Sequence, residues 1–327
     1  MAENTTTSLS RRDFLRVSSA VALASGLPLA VGQTVPQPSG GRYKGILCLF
    51  SKPVPEMNWR QLANSAKSAG FGGIDLTVRK GGHVLPERVA EDLPKAVAEI
   101  REIGLEVPMI TTELVSAADP AARPVLQTAA KLAIPFYKPG YYHYRFIDVR
   151  RELEVAGNEF RQLTKLGQEY GIQAGYHNHA GLVGAPVWDI ATVIDTLDSK
   201  WAGYYFDLNH ATAEGGVEGW KIATNLVMSR LKMVAVKDFH WEKTSRGWNG
   251  KNCPLGDGMC HWNDFLGTIA EANFHGPISL HLEYEIPGVS NDQGIALSRA
   301  SEPAVLAAAK RDLDFLKACL QKAYGEA

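Results

Sequence analysis

Residues 276–286 read GPISLHLEYEI. Ser279, His281, Glu283 and Glu285 occupy odd positions, and Ile278, Leu280, Leu282, Tyr284 and Ile286 occupy even ones. Successive side chains of a strand point to opposite faces, so one face here is apolar and the other carries a histidine and two carboxylates. On an edge strand the polar face would meet water. In a closed barrel it would point into the lumen, where a carboxylate is costly to bury without a partner.

The rest of the chain decides between these settings. From residue 43 onward, short apolar runs alternate with amphipathic stretches. Runs at 45–50, 72–78, 105–112, 134–140, 172–178, 202–210, 231–239 and 277–284 read as strands. Stretches at 59–69, 86–103, 120–132, 149–170, 187–197, 219–230, 262–273 and 304–324 read as the helices that follow them. This alternation predicts an α/β fold, a single-domain (β/α)8 TIM barrel. A doubly wound open sheet would carry a Gly-rich phosphate loop after its first strand, and LFSKPVPEMN (49–58) has none. Residues 241–258, rich in Gly, Asn and Trp, read as a long loop over the barrel mouth. The odd face of 276–286 then points inward, and Glu283 falls near the C-terminal end of the last strand, where such barrels build their sites.

The N-terminus carries a different signal. Ser10-Arg11-Arg12-Asp13-Phe14-Leu15-Arg16 precedes an uncharged, moderately apolar run over 17–32. Twin arginines before such a run read as an export address, so residues 1–33 are expected to be a twin-arginine signal peptide and 34–327 the barrel. The expected location is periplasmic or secreted. The run falls short of the roughly 20 residues that span a bilayer, so no membrane anchor is expected after cleavage. Lys and Arg total 34 against 35 Asp and Glu, a balance that argues against a nucleic-acid partner. Four cysteines are too few for a disulfide scaffold; free thiols are expected, with a Cys253–Cys260 pair as the alternative.

The strand ends carry the chemistry. His177 and His179 end the fifth strand, Asp207 and then His210 follow the sixth, and Lys237, Asp238 and His240 end the seventh. With Glu283 these place imidazole and carboxylate on one rim, a donor set suited to a divalent metal such as Mn, Mg, Co or Zn. A metal-free polar network is the alternative. Asp75, Thr77, Lys138 and the aromatic run Tyr141-Tyr142-His143-Tyr144-Arg145 suit a carbohydrate partner, whose C–H faces stack on rings. The same run equally suits the interface of a homo-oligomer.

GYHNH (175–179), YYFDLNHA (204–211), AVKDF (235–239) and SLHLEYE (279–285) together resemble the sugar phosphate isomerase/epimerase family. These are xylose isomerase-like barrels that include ketohexose 3-epimerases and inosose dehydratases. Pro254-Leu255-Gly256-Asp257-Gly258 before Trp262 resembles the loop preceding the family's last helix. The similarity spans nearly all of the chain after the leader. It implies one divalent ion held by Glu, Asp, His and Glu from strands five to eight. Asp207 and Glu283 match that pattern, His177 stands in for a carboxylate, and Ala235 stands where the ligand histidine is usual. His240 or Asp238 folding back, or a water, would complete the shell; loss of the metal is the remaining alternative.

The resemblance also implies a reaction, proton abstraction next to a carbonyl of a sugar or keto-sugar. Glu283 is then an acid/base group, with His177 or Glu113 opposite it. Lys237 is expected to act on a substrate oxygen. His179, His210, Asp238, His281 and Lys138 are the expected substrate contacts. A lyase or dehydratase on a keto-sugar or keto-glycoside shares the first step, and a degenerate barrel that only binds carbohydrate is the non-enzymatic alternative. An endonuclease-like phosphodiesterase is disfavoured by the neutral charge and by Ala235. No Gly-rich helix N-terminus flanked by Arg or Lys follows the last strands, so a neutral sugar is expected rather than a sugar phosphate.

Overall fold

Eight parallel strands hydrogen-bond edge to edge and close on themselves in the order β1-β10-β7-β6-β5-β4-β3-β2. They are β1 (Leu47–Phe50), β2 (Gly73–Val78), β3 (Glu106–Thr112), β4 (Phe136–Lys138), β5 (Gln173–His177), β6 (Ala202–Asp207), β7 (Leu231–Val236) and β10 (Ile278–Leu280). Around them run α1 (Trp59–Ala69), α2 (Val89–Glu102), α3 (Ala122–Lys131), α4 (Val149–Tyr170), α5 (Trp188–Ile194), α6 (Leu208–Val227), α7 (Trp262–Glu271) and α8 (Glu302–Tyr324). The computed structural model describes residues 41–286 and 302–325. The expected signal peptide, residues 1–33, lies outside the described residues. No described helix is long and apolar enough to cross a membrane, and all four cysteines are free.

The alternation in the last strand has a simple outcome. Ile278 and Leu280 are buried in the layer between sheet and helices, while Ser279 and His281 are buried on the lumen side. The bottom of the lumen is filled by Met109, Tyr205, Met233 and Ala235, with Phe136 packed against them. Gly175 on β5 makes room for this plug: a Cβ there would lie 2.1 Å from Met233 Cε. The site above therefore has an apolar floor.

Two segments differ from expectation. Residues 241–258 are not an irregular loop; β8 (Asp238–Thr244) and β9 (Gly247–Cys253) form an antiparallel arm that turns at Gly247, φ 114°. Most of the arm is exposed on both faces, so it shows none of the apolar alternation that marks a half-buried strand. The helix expected over 219–230 starts eleven residues earlier, at Leu208, and is interrupted at Gly216. Its N-cap is Asp207, whose Oδ1 accepts from the His210 backbone N–H at 3.2 Å.

Asp238 anchors the arm. Its Oδ1 accepts from the backbone N–H groups of Phe239 and Cys260, and its Oδ2 from Gly256 N–H and the Trp262 indole N–H, at 2.9–3.2 Å. A Cβ at Gly258 would meet Asp238 Oδ1 at 2.1 Å, which explains the glycine in this loop. Replacing Asp238 by Ala strands four donors, so Asp238→Ala should lower unfolding free energy by about 3 kcal/mol or more in urea titrations. A loss below about 1 kcal/mol would contradict the bracing role.

Candidate active site

Each group of the site enters from the C-terminal end of a barrel strand. The centre is a cation between two acids. Lys237, just past β7, places Nζ 2.9 Å from Glu283 Oε2 and 3.4 Å from Asp207 Oδ2. Lys52, just past β1, donates to the other Glu283 oxygen at 2.9 Å. The Lys237 and Asp207 side chains are 5% and 0% exposed, so each charge needs an opposite one close by. Burial alone would raise the Glu283 carboxyl, but the Lys237 and Lys52 ammonium groups hold it well below the usual range. Burial likewise opposes the Asp207 carboxylate, yet the Lys237 ammonium and the His210 backbone N–H keep it below its ordinary value. Burial works to lower Lys237, and the two carboxylates more than reverse it.

Asp207 is fixed by its neighbours on β5. The Asn178 side chain donates to Asp207 O at 2.9 Å and accepts from Asp207 N–H at 2.8 Å. His177 Nε2 lies 3.2 Å from Asp207 Oδ2, and its Nδ1 lies 2.8 Å from the Tyr141 hydroxyl. Below them Asp75 takes three hydroxyls, from Thr111 (2.8 Å), Ser279 (2.8 Å) and Tyr205 (3.1 Å). Burial pushes the Asp75 carboxyl up to about 6 despite these donors. Tyr205 also reaches His281 Nε2 at 2.9 Å, and His281 stacks on Phe50. Burial holds His177, His210 and His281 well below the ordinary histidine value, so all three are neutral at pH 7.

These groups surround a cavity of about 70 Å³ whose walls include Lys52, Lys138, His177, His179, Lys237 and Glu283. His281 also lines it. Three expected site residues stand elsewhere. Glu113 is half exposed and paired with Arg79 at 2.8 Å, outside the cavity lining. Asp238 has both oxygens committed to the arm and its loop, which leaves it a brace and no substrate contact. His240 is carried into the antiparallel arm opposite Lys251, because the chain leaves the barrel at Val236 instead of folding back. Lys52 and Arg79 were not foreseen. Each lies just beyond β1 or β2, and position at a strand end is the one signal the sequence offers for it.

The donors that do converge are His177, Asp207 and His210, with one ligand atom from each within 4.8 Å of the others. His210 Nε2 is buried, lacks a hydrogen-bond partner among the described residues, and lies 3.7 Å from Asp207 Oδ2. Two neutral imidazoles and a carboxylate fit a borderline divalent ion. Glu283 is not in this group; its oxygens face ammonium nitrogens. At the level of Asp207 on β6, the facing residue on β7 is Ala235, buried in the apolar floor.

A family model described as xylose isomerase-like TIM barrel matches residues 63–319. Among solved structures, D-psicose 3-epimerase with D-tagatose from Clostridium cellulolyticum H10 superposes with a TM-score of 0.62 at 13% identity, covering 84% of this chain and 99% of that one. A xylose isomerase-like TIM barrel protein from Mycobacterium smegmatis in complex with magnesium gives 0.62 at 14% identity, covering 86% and 98%. At such identities the likeness is one of fold. The uncharacterized protein MJ1311 of Methanocaldococcus jannaschii is 22% identical over 134 residues, 39% of this chain. That match spans 43% of the relative's length.

Lys237 and a metal would compete for Asp207 Oδ2. Lys237→Met removes the ammonium and leaves Asp207 without a cationic side chain, while Glu283 keeps Lys52. It should bind Co²⁺ at least about tenfold more tightly than the unaltered protein in calorimetric titrations. Equal or weaker binding would contradict the competition.

Proposed function

The chain belongs to the xylose isomerase-like TIM barrel family, and from that premise we propose that it is a sugar isomerase or epimerase. It removes the proton next to a carbonyl of a sugar or keto-sugar, with Glu283 as base. One observation carries this reading: in a buried pocket at the barrel mouth, each Glu283 oxygen rests 2.9 Å from an ammonium nitrogen. A C–H beside a carbonyl is a weak acid, and its removal needs cations where the enediolate oxygen develops charge. When the proton moves to Glu283, the negative charge moves to the substrate oxygen. Lys52 and Lys237 then exchange one anionic partner for another, and the pocket keeps its net charge. Before that exchange the two ammonium groups depress Glu283 basicity; a substrate oxygen drawing them away restores it.

Glu283, which holds the proton it has taken, is the group proposed to return it, while His177, neutral and hydrogen-bonded through Nδ1 to Tyr141, lines the opposite wall. Return by Glu283 to the adjacent carbon gives isomerisation; epimerisation requires that a second group, already protonated, deliver a proton to the same carbon from the opposite face. His177, Asp207 and His210 would hold a divalent ion, which when bound supplies Lewis-acid polarisation of the carbonyl. The same proposal takes Arg11-Arg12 as part of an export address, which would put this activity outside the cytoplasm.

The test is proton exchange. Keto-sugars incubated with the protein in D₂O should gain deuterium at the carbon beside the carbonyl, read by NMR. Glu283→Gln should slow that exchange by about 10²–10⁴-fold, the usual worth of a general base. Exchange accompanied by loss of water or an aglycone would instead identify a lyase. A full panel of keto-sugars without exchange would defeat the proposal.

A further inference from the structure

The cavity wall carries four cationic side chains, Lys52, Arg79, Lys138 and Lys237, against a single carboxylate, Glu283. Lys52 and Lys237 share Glu283, which leaves two cations to account for. Lys138 is 2% exposed, at the end of β4, and among the described residues its ammonium has no ion pair or hydrogen bond. It lies over the Tyr141 ring, 3.3 Å from the centroid. The carboxylates that act on it through space, Glu113 and Asp75, are both committed: Glu113 to Arg79, and Asp75 to three hydroxyls. Arg79 carries a second unmatched donor. Its Nε is buried and without an acceptor, although its Nη1 holds Glu113.

A buried ammonium and a buried guanidinium N–H that line one cavity without acceptors are costly unless a ligand supplies them. A neutral sugar offers hydroxyls, which satisfy hydrogen bonds and leave the excess charge in place. An anionic oxygen satisfies both. We propose that the substrate of this site bears an anionic group, a carboxylate or a phosphate, held by Lys138 and Arg79 while the reacting carbonyl faces Glu283. This deepens the isomerase/epimerase reading and rests on it for the carbonyl. It departs from the neutral sugar expected for want of a Gly-rich phosphate loop, because here the anion site is built of side chains from strand ends. Burial, together with the Arg79 and Lys52 charges, pushes Lys138 down to about 7, and a bound anion would reverse that shift.

The experiment measures binding, so it does not depend on turnover. The full chain is titrated calorimetrically with three probes: D-fructose, 2-keto-D-gluconate and D-fructose 6-phosphate. One of the two anions should bind at least about tenfold more tightly than D-fructose, the worth of one good charge-assisted contact. Which anion wins distinguishes a carboxylate from a phosphate ester. Lys138→Met should cut the preference to under about threefold, and Lys138→Arg should keep most of it. Arg79→Gln, at the more open side of the cavity, is the second variant and should also weaken the preference. The proposal is overturned if D-fructose binds as tightly as both anions, if neither anion binds, or if both charge-removing variants leave the preference unchanged. Failure of deuterium exchange with the anion preference intact would defeat only the proton-abstraction reading; exchange of neutral ketoses without anion preference would defeat only this one.

Discussion

The site depends on one buried cation held between two acids. Lys237 lies between Asp207 and Glu283, and the Lys237 and Asp207 side chains sit where water cannot compensate an unmatched charge. Removing Lys237 leaves the Asp207 carboxylate without an ammonium partner, and removing either acid leaves Lys237 with one carboxylate in place of two. The rest follows outward from this point. Asp207 is clamped by Asn178 and caps α6, so its carboxylate cannot drift from Lys237. Glu283 is held from the other side by Lys52, which ties the first strand's end to the last.

The barrel contributes by keeping these groups at one height. Parallel pairing places Asp207 beside Ala235 and brings Ala235 beside Ser279, so residues just past those positions reach a common rim. Below the rim, Met109, Met233 and Ala235 exclude water from the lumen, and Gly175 leaves them the space. A histidine in place of Ala235 would put a metal ligand at this height. With alanine there, the positive charge between the two carboxylates belongs to Lys237.

Much of this was legible from residues alone, for a physical reason. The alternation in 276–286 and the helical spacing of 149–170 are local patterns imposed by burial on one side, so the closed barrel and the inward Glu283 could be inferred from them. The arm over Asp238–Cys253 was not legible, because a hairpin wetted on both faces has no apolar alternation. Nor was the bracing role of Asp238, whose donors lie up to 24 residues away, at Trp262. Lys52 and Arg79 lie at strand ends, and their partners Glu283 and Glu113 come from other strands, so no local spacing marks the pairs. His240 looked available because strand seven was read through 239; it ends at Val236, and the chain turns out into the arm.

The linkage between Lys237 and Glu283 can be measured directly by a double-mutant cycle on unfolding free energy, with Lys237→Met, Glu283→Gln and the pair. The account requires each single change to be strongly destabilising and the double change to recover much of the loss, with a coupling of about 2–4 kcal/mol. Additive losses, with a coupling under about 0.5 kcal/mol, would show that the two charges do not depend on each other and would contradict the account.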